Sequence, residues 1–348
     1  MEKIRNIVRK NIKELVPYSS ARELSAGEGF IMMDANENPF GKKLNRYPDP
    51  LQKDLKRKFA ELENINPDKI FLGNGSDEII DLVFRIFCRP AVDNIVTIEP
   101  TYGMYEVLAR INEVEIRKVQ LDSSFDLPAD ELLSTSDAST KVIILCSPNN
   151  PTGNLLDKEK VRYLLNNFYG IVLLDEAYID FSDESGFIDE LDEFPNLIIL
   201  QTFSKGWGMA GIRVGKAFAT KEIIDLLNKV KFPYNVSRVN QEIAQKAISR
   251  RRRIKSKINT IVKERRKLEK RLKFFSFIEK IFPSDANFLL IRVKDATGLM
   301  NFMSNSGIVL RDRSGLKGCM NCIRVTVGTP QQNRKLLKSF QKYQKEVS

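Results

Sequence analysis

The run Leu200–Gly215, LQTFSKGWGMAGIRVG, places an amine at Lys205 beside a hydroxyl at Ser204 and eight residues before a guanidinium at Arg213. That set suits a phosphorylated aldehyde. The amine can condense with the carbonyl to a Schiff base while hydroxyl and guanidinium hold the phosphate. The plainer reading of a Ser-Lys pair at a strand end is a solvated loop. A second competitor lies in the same residues, because Gly206, Gly208 and Gly211 spell G-x-G-x-x-G after a strand. A dinucleotide-binding turn of that kind opens a helix. Ile212–Ala219, IRVGKAFA, instead alternates like a strand, which leaves an NAD-binding oxidoreductase as a remote alternative.

Chemistry at Lys205 needs elements that bring other groups to it. Leu197–Thr202 has the Leu and Ile content of a buried strand, and strand ends of an open α/β sheet point residues into a crevice. Three further apolar runs end in chemically useful turns: Asn94–Glu99 leads to Thr101-Tyr102-Gly103, Val142–Cys146 to Ser147-Pro148-Asn149-Asn150, and Ile171–Leu174 to Asp175-Glu176-Ala177-Tyr178. Ile70–Leu72 runs into Gly73-Asn74-Gly75-Ser76-Asp77 and an apolar helix from Ile79, a candidate phosphate cradle or simply a capped helix. Each turn alone is unremarkable, but ligand sites in α/β proteins form where several strand ends meet. Past Phe232-Pro233 the pattern changes to two helical stretches, short strands at Phe288–Val293 and Cys322–Val327, and a last helix after Pro330. This reads as a smaller α+β lobe. In it Arg311, Arg313 and Arg324 stand out; Arg311 and Arg324 follow apolar residues and can face the cleft, or lie on the surface.

A lysine, an aspartate, an asparagine, tyrosines and an arginine at strand ends match pyridoxal 5′-phosphate better than other common cofactors. Lys205 would hold its aldehyde. Asp175 would keep the pyridine nitrogen protonated, making the ring an electron sink. Asn150 and Tyr178 can donate to the phenolate oxygen, and Tyr102 offers a stacking face. Once a substrate amine displaces Lys205, the freed ε-amine is placed to move a proton between the substrate Cα and the cofactor's C4′ carbon.

These residues resemble those of the fold-type I pyridoxal-phosphate aminotransferases of class I/II, and nearly the whole chain shares in the resemblance. SPNNPTG, DEAY and TFSKGWGMAGIRVG are similar to motifs of the superfamily. PYSSAR, DANENPFG, NRYPDP, GNGSDE, PTYGMY, VLRDRS and IRVTVGTP resemble the narrower pattern of the histidinol-phosphate aminotransferases. The resemblance implies an α/β fold with a large, mostly parallel seven-stranded sheet domain and a smaller α+β domain, divided as an N-terminal arm over 1–29, a cofactor-binding domain over 30–235 and a small domain over 236–348. It implies Lys205, Asp175 and Tyr178 as catalytic residues, with Ser76, Asp77, Tyr102, Asn150, Thr202, Ser204 and Arg213 also holding the cofactor. Tyr47 would reach the phosphate from a neighbouring subunit, so a homodimer is implied. Arg324, with Arg311 as its partner, would take the α-carboxylate of glutamate or the phosphate of the other substrate, and Tyr18 and Asn36 would touch substrate. The reaction implied is ping-pong exchange between L-histidinol phosphate and 2-oxoglutarate, giving imidazole-acetol phosphate and L-glutamate in histidine biosynthesis. Aromatic amino-acid aminotransferases and threonine-phosphate decarboxylases share most of the motifs and stand as alternatives. The chain departs from the pattern at Gly206-Trp207, where Ala-Phe is more frequent; no functional group is lost.

Composition narrows the rest. A chain of 348 residues with 42% hydrophobic and 29% charged residues is expected to be an ordinary soluble globular protein of two lobes. With no histidine, Ser-His or Cys-His hydrolysis and histidine-ligated metal are excluded. Four cysteines make no disulfide framework and favour a reducing cytoplasm, and the Cys319-x-x-Cys322 pair, lacking a second pair, reads as two structural thiols and no metal site. The charged N-terminus, MEKIRNIVRKNIKEL, reads as neither signal peptide nor membrane span. The net charge of +11 concentrates in Ser249–Phe275, where Ile254, Ile258, Ile261, Leu268, Leu272 and Phe275 share one helical face. That segment is expected to be a docked helix with a solvated basic side. Nucleic-acid binding through Arg250–Arg253 is the rival.

Overall fold

The computed structural model describes residues 2–18, 31–41 and 44–347. Its strands are β1 (Ile70–Gly73), β2 (Asn94–Glu99), β3 (Glu115–Gln120), β4 (Thr140–Cys146), β5 (Ile171–Asp175), β6 (Leu197–Thr202), β7 (Gly215–Phe218), β8 (Ile278–Ile281), β9 (Phe288–Val293), β10 (Arg311–Asp312) and β11 (Cys322–Thr326). The first seven form one sheet in the order β1-β7-β6-β5-β4-β2-β3. Strands β2 to β6 pair in parallel, while β7 is antiparallel to both its neighbours. This is the expected mostly parallel seven-stranded α/β sheet.

Both faces are covered, so central strands read as continuous apolar runs without alternation; every residue of β5 is buried. One face packs Leu72, Val96, Ile143, Val172 and Ile199 into a common core, and the other packs Phe71, Ile95, Ile144, Leu173 and Ile198. The second core also takes up Ile4 and Ile12 from the short helices Glu2–Ile7 and Lys10–Glu14, and Val8 from the link between them. The remainder of the expected arm, 19–29, lies outside the described residues. Two strands escape a hydrophobic-run reading for a physical reason. β3 (EIRKVQ) is an edge strand with one buried residue, and β8 (IEKI) has none.

Register decides what meets at the sheet's carboxyl edge. Cys146 pairs with Asp175 and Asp175 with Leu200, so β4 and β5 end level and β6 runs two residues further, to Thr202. Because β7 runs the other way, it begins where they end: Gly215 lies opposite both Thr202 and Gly73. Between β6 and β7 the glycine-rich stretch forms only a 3-10 turn over Ala210–Ile212. The G-x-G-x-x-G therefore opens no helix, and a dinucleotide turn is absent there.

The second sheet, β10-β11-β9-β8, is antiparallel and packs the helices Ala296–Asn305 and Pro330–Val347. The basic segment forms one 22-residue helix, Arg251–Leu272. Ile258 is buried with Tyr178, Phe181 and Phe288, and Ile254 and Ile261 pack against that group, so the expected docked face is seated against Tyr178 in the turn after β5. Arg265 turns inward as well and donates to the Ala286 carbonyl at 2.6 Å and the Phe181 carbonyl at 3.3 Å. Cys88, Cys146, Cys319 and Cys322 are free and buried. Among the described residues no helix is long and apolar enough to cross a membrane, and no His/Cys/Asp/Glu group can hold a metal.

A Cβ on Gly215 would meet the Gly75 carbonyl carbon at 2.4 Å and the Ser76 nitrogen at 2.5 Å, backbone atoms that cannot swing aside. Gly215→Ala is expected to destabilise the fold by about 1–3 kcal/mol, the range for overpacking. Gly211→Ala, with open space at its Cβ position, should stay within about 0.5 kcal/mol. Denaturant unfolding of the two variants checks this, and equal midpoints would contradict it.

Candidate active site

The cleft at the carboxyl edge is lined by Ser76, Asp77, Tyr102, Cys146, Asn150, Asp175, Ala177, Tyr178, Thr202, Ser204, Lys205 and Arg213. Nine of the sequence-predicted residues other than Lys205 thus gather around that lysine, from the ends of β1, β2, β4, β5 and β6 and the start of β7.

Asp175 closes β5 and is almost fully buried. Its Oδ2 accepts from the Tyr105 hydroxyl at 2.7 Å and its Oδ1 from the Ala177 N–H at 3.0 Å. No lysine or arginine lies within ion-pair distance among the described residues. Burial dominates, and the carboxyl is pushed up to about 6 in spite of the two hydrogen bonds. A buried carboxylate with two neutral donors and no cation is matched to an incoming cationic N–H.

Lys205 follows β6 by three residues, with its Nζ 5.5 Å from the centre of the Tyr178 ring. Burial, and then the positive charge of Arg324, lower its pKa, favouring the neutral nucleophilic amine. Tyr178 stands edge-on to Phe288 at 5.2 Å and accepts at its hydroxyl from Asn150 Nδ2 at 3.4 Å. Tyr102 extends over the cleft, donating to Asp77 Oδ1 at 3.3 Å and edge-on to Tyr105.

The anion cradle forms where the helix Ser76–Phe87 begins. Gly75 holds φ +82°, and among the described residues no side-chain cap closes the start of the helix. Arg213 lies against this turn: a Cβ on Gly75 would sit 2.6 Å from its Nη2. The guanidinium donates weakly to Ser204 Oγ at 3.5 Å and stays 3.7 Å from Asp77. Thr202 Oγ1 accepts from the Ser204 N–H at 3.1 Å. N–H groups at a helix start, hydroxyls and a loosely paired guanidinium are the kinds of donor that a phosphate requires.

Arg324 reaches the cleft from β11. Its Nη1 donates to Asn150 Oδ1 and its guanidinium lies 5.3 Å from the Phe288 ring centre. Arg311 is its direct cross-strand partner but is exposed. The single chain does not bring the remaining three to Lys205. Tyr18 is exposed on a separate cleft of about 750 Å³ beside Lys53 and Lys56. Asn36 and Tyr47 line a third, where Tyr47 stacks on Tyr234 at 4.4 Å.

Two residues that shape the site were not singled out in the sequence. Tyr105 is the buried holder of Asp175; its signal was a second tyrosine in TYGMY, one helical turn beyond Tyr102. Asn149 ties two strand ends together, accepting from Thr101 Oγ1 at 2.8 Å and donating to the Pro100 carbonyl at 2.9 Å.

The model of the aminotransferase class I and II family matches residues 31–340. The chain is 52% identical over 340 residues to the histidinol-phosphate aminotransferase of Parabacteroides distasonis, covering 98% of this chain and 99% of that protein. Its structure resembles the histidinol-phosphate aminotransferase of Clostridium acetobutylicum with a TM-score of 0.80 at 27% identity, over 87% of this chain and 92% of the other. The Sinorhizobium meliloti enzyme in complex with pyridoxal-5′-phosphate gives 0.81 at 22% identity, over 90% of each, a likeness of fold.

Asp175 makes a pH-dependent prediction for ligand-free protein. Its folded pKa of about 6 lies above the 3.8 of an unperturbed aspartate, so the folded state retains a proton that the unfolded state has lost. Stability therefore falls as pH rises from about 4 to 6. Asp175→Asn lacks this loss and should gain about 3 kcal/mol on the wild type across that window. Parallel unfolding curves at pH 4 and pH 7 would refute the assignment if the difference between the two proteins stayed constant.

Proposed function

Because the chain belongs to the aminotransferase class I and II family, and within it to the histidinol-phosphate aminotransferases, we propose that it exchanges the amino group of L-histidinol phosphate with 2-oxoglutarate, giving imidazole-acetol phosphate and L-glutamate in histidine biosynthesis. The cofactor is pyridoxal 5′-phosphate, which when bound supplies an electron sink conjugated to the substrate Cα. The observation that carries the reading is Asp175, a buried carboxylate without a cation in the same cleft as Lys205 and the anion cradle.

Each residue then has a task its surroundings suit. Asp175 holds a proton on the ring nitrogen, with Tyr105 fixing the carboxylate. Asn150 and Tyr178 direct hydrogen bonds to the ring oxygen, and Tyr102 covers the ring face. Ser76, Thr202, Ser204, Arg213 and the helix N-terminus take the phosphate, with Asp77 orienting Tyr102 beside them. Lys205 would hold the cofactor at its aldehyde and, when free, its ε-amine would move the proton at the substrate Cα. The Arg324 guanidinium, with Arg311 across the ladder, receives the substrate anion. In this reading residues 30–235 hold the cofactor and 236–348 deliver the arginines.

We assign Tyr47, Asn36 and Tyr18 to the site of a second copy, in a homodimer. Ile31, Met33, Phe40 and Leu44, close to Tyr47 in the chain, are 87%, 90%, 92% and 72% exposed, apolar surface that supports a covered interface. Four unpaired cysteines accord with a reducing cytoplasm.

Purified protein supplied with pyridoxal phosphate is expected to develop the visible band of a lysine-bound cofactor. Histidinol phosphate and glutamate should each bleach it, and phenylalanine or threonine phosphate should not. Lys205→Ala should lower turnover by about 10⁴-fold. A band answering only to phenylalanine or threonine phosphate would move the substrate elsewhere, and no band would sink the cofactor assignment.

A further inference from the structure

The resemblance accounts for Arg311 and Arg324 and leaves out Arg313. The ladder places it with them. Arg311 lies directly opposite Arg324, and the Arg313 N–H continues the pairing by donating to the Cys322 carbonyl at 2.9 Å. Residues two apart on a strand share a face, so Arg311 and Arg313 present side chains to the same side of β10. Among the described residues none of the three guanidiniums has a carboxylate within ion-pair distance. Arg313 is half-buried, and its Nε is shielded from solvent with no hydrogen-bond partner. Its pKa is lowered by burial, then by Arg324 and Arg311, while the Tyr178 phenol acts in the opposite sense. The cluster is thus self-repelling, has the Asp312 carboxylate acting on Arg313 only from beyond ion-pair distance, and lies within electrostatic reach of Tyr178, whose ring centre is 5.5 Å from Lys205 Nζ.

We propose that Arg313 is a specificity-determining residue, supplying a third guanidinium that engages the phosphomonoester of the amine substrate. The inference rests on the function proposed above. A carboxylate offers two oxygens and one charge, which a single guanidinium satisfies bidentately. A phosphomonoester near neutrality offers three terminal oxygens and a charge of about −1.5 to −2. Arg324 with Arg311 suffices for the first anion. A third unpaired guanidinium is matched to the second, whose extra charge offsets the repulsion among the three.

The test uses holoenzyme and the variants Arg313→Gln and Arg313→Lys, with Arg252→Gln on the basic helix as a control outside the site. Arg313→Gln is expected to lower kcat/KM for histidinol phosphate relative to that for L-glutamate about tenfold, the loss falling on KM. Wild-type KM for the phosphomonoester should fall as pH rises through about 6, where the phosphate takes its second charge, and the fall should flatten in Arg313→Gln. Arg313→Lys should restore most of the preference, and Arg252→Gln should not change it. Inorganic phosphate should inhibit the glutamate half-reaction about tenfold less strongly in Arg313→Gln than in wild type. Equal losses for both amines, or unchanged phosphate inhibition, would overturn the role of Arg313. Should wild type ignore histidinol phosphate, the functional reading fails, and phosphate inhibition still decides whether Arg313 engages the anion.

Discussion

A carboxylate taken out of water without a cation is the constraint on which the rest of this structure hangs. Asp175 ends a strand whose every residue is buried, so the sheet cannot solvate it. Two neutral donors, the Tyr105 hydroxyl and the Ala177 N–H, fix its orientation without neutralising it. Tyr105 in turn needs the turn after β2 to sit beside the end of β5, which requires β4 between them, and Asn149 clamps that junction from the β4 side. The topology and the carboxyl are one problem. Leaving Asp175 without a cation in the fold keeps it available for one that arrives.

The anion end is solved by strand direction. Six strands of the large sheet point the same way and deliver side chains at their ends. Only an antiparallel strand can deliver a residue at its beginning, and β7 does so with Arg213. Gly215 against Gly75 lets the two backbones close to a distance at which any Cβ would collide, which puts the guanidinium over the helix N-terminus. In the proposed reading, dipole, hydroxyls and guanidinium then share one anion.

Positive charge is handled in two ways in the second half of the chain. Along Arg251–Leu272 most of it is spread over a solvated face, where water screens it, while Ile258, Leu268 and Leu272 anchor the helix. At β10 and β11 it is concentrated instead, with three guanidiniums on neighbouring ladder positions and, among the described residues, no carboxylate within ion-pair distance of them, although Asp312 lies between two of them in the chain. Concentration without a counter-ion costs stability and is expected where an anion is to be received. Arg324 links the two halves directly through Asn150.

Much of this was legible in the chain. Apolar runs ending in polar turns announced the parallel strands, since burial on both faces forces continuous hydrophobic sequence, and Lys205, Asp175, Asn150, Tyr178 and Tyr102 were visible as the residues just past those runs. The strand after the glycine turn was legible too, because IRVGKAFA alternates where a helix would not. Edge strands β3 and β8 were not, as one-sided or absent burial leaves no apolar run to read. Tyr105, a residue whose importance comes from a contact 70 positions away, carried no local mark of its role. Nor did Arg313, distinguished from other arginines only by cross-strand register. Residue types and their spacing along the chain determined which groups could do chemistry. Only the tertiary structure decided which of them share a cleft, which are deprived of water and counter-charge, and how far that moves their protons, because pairing, burial and desolvation depend on neighbours distant in sequence.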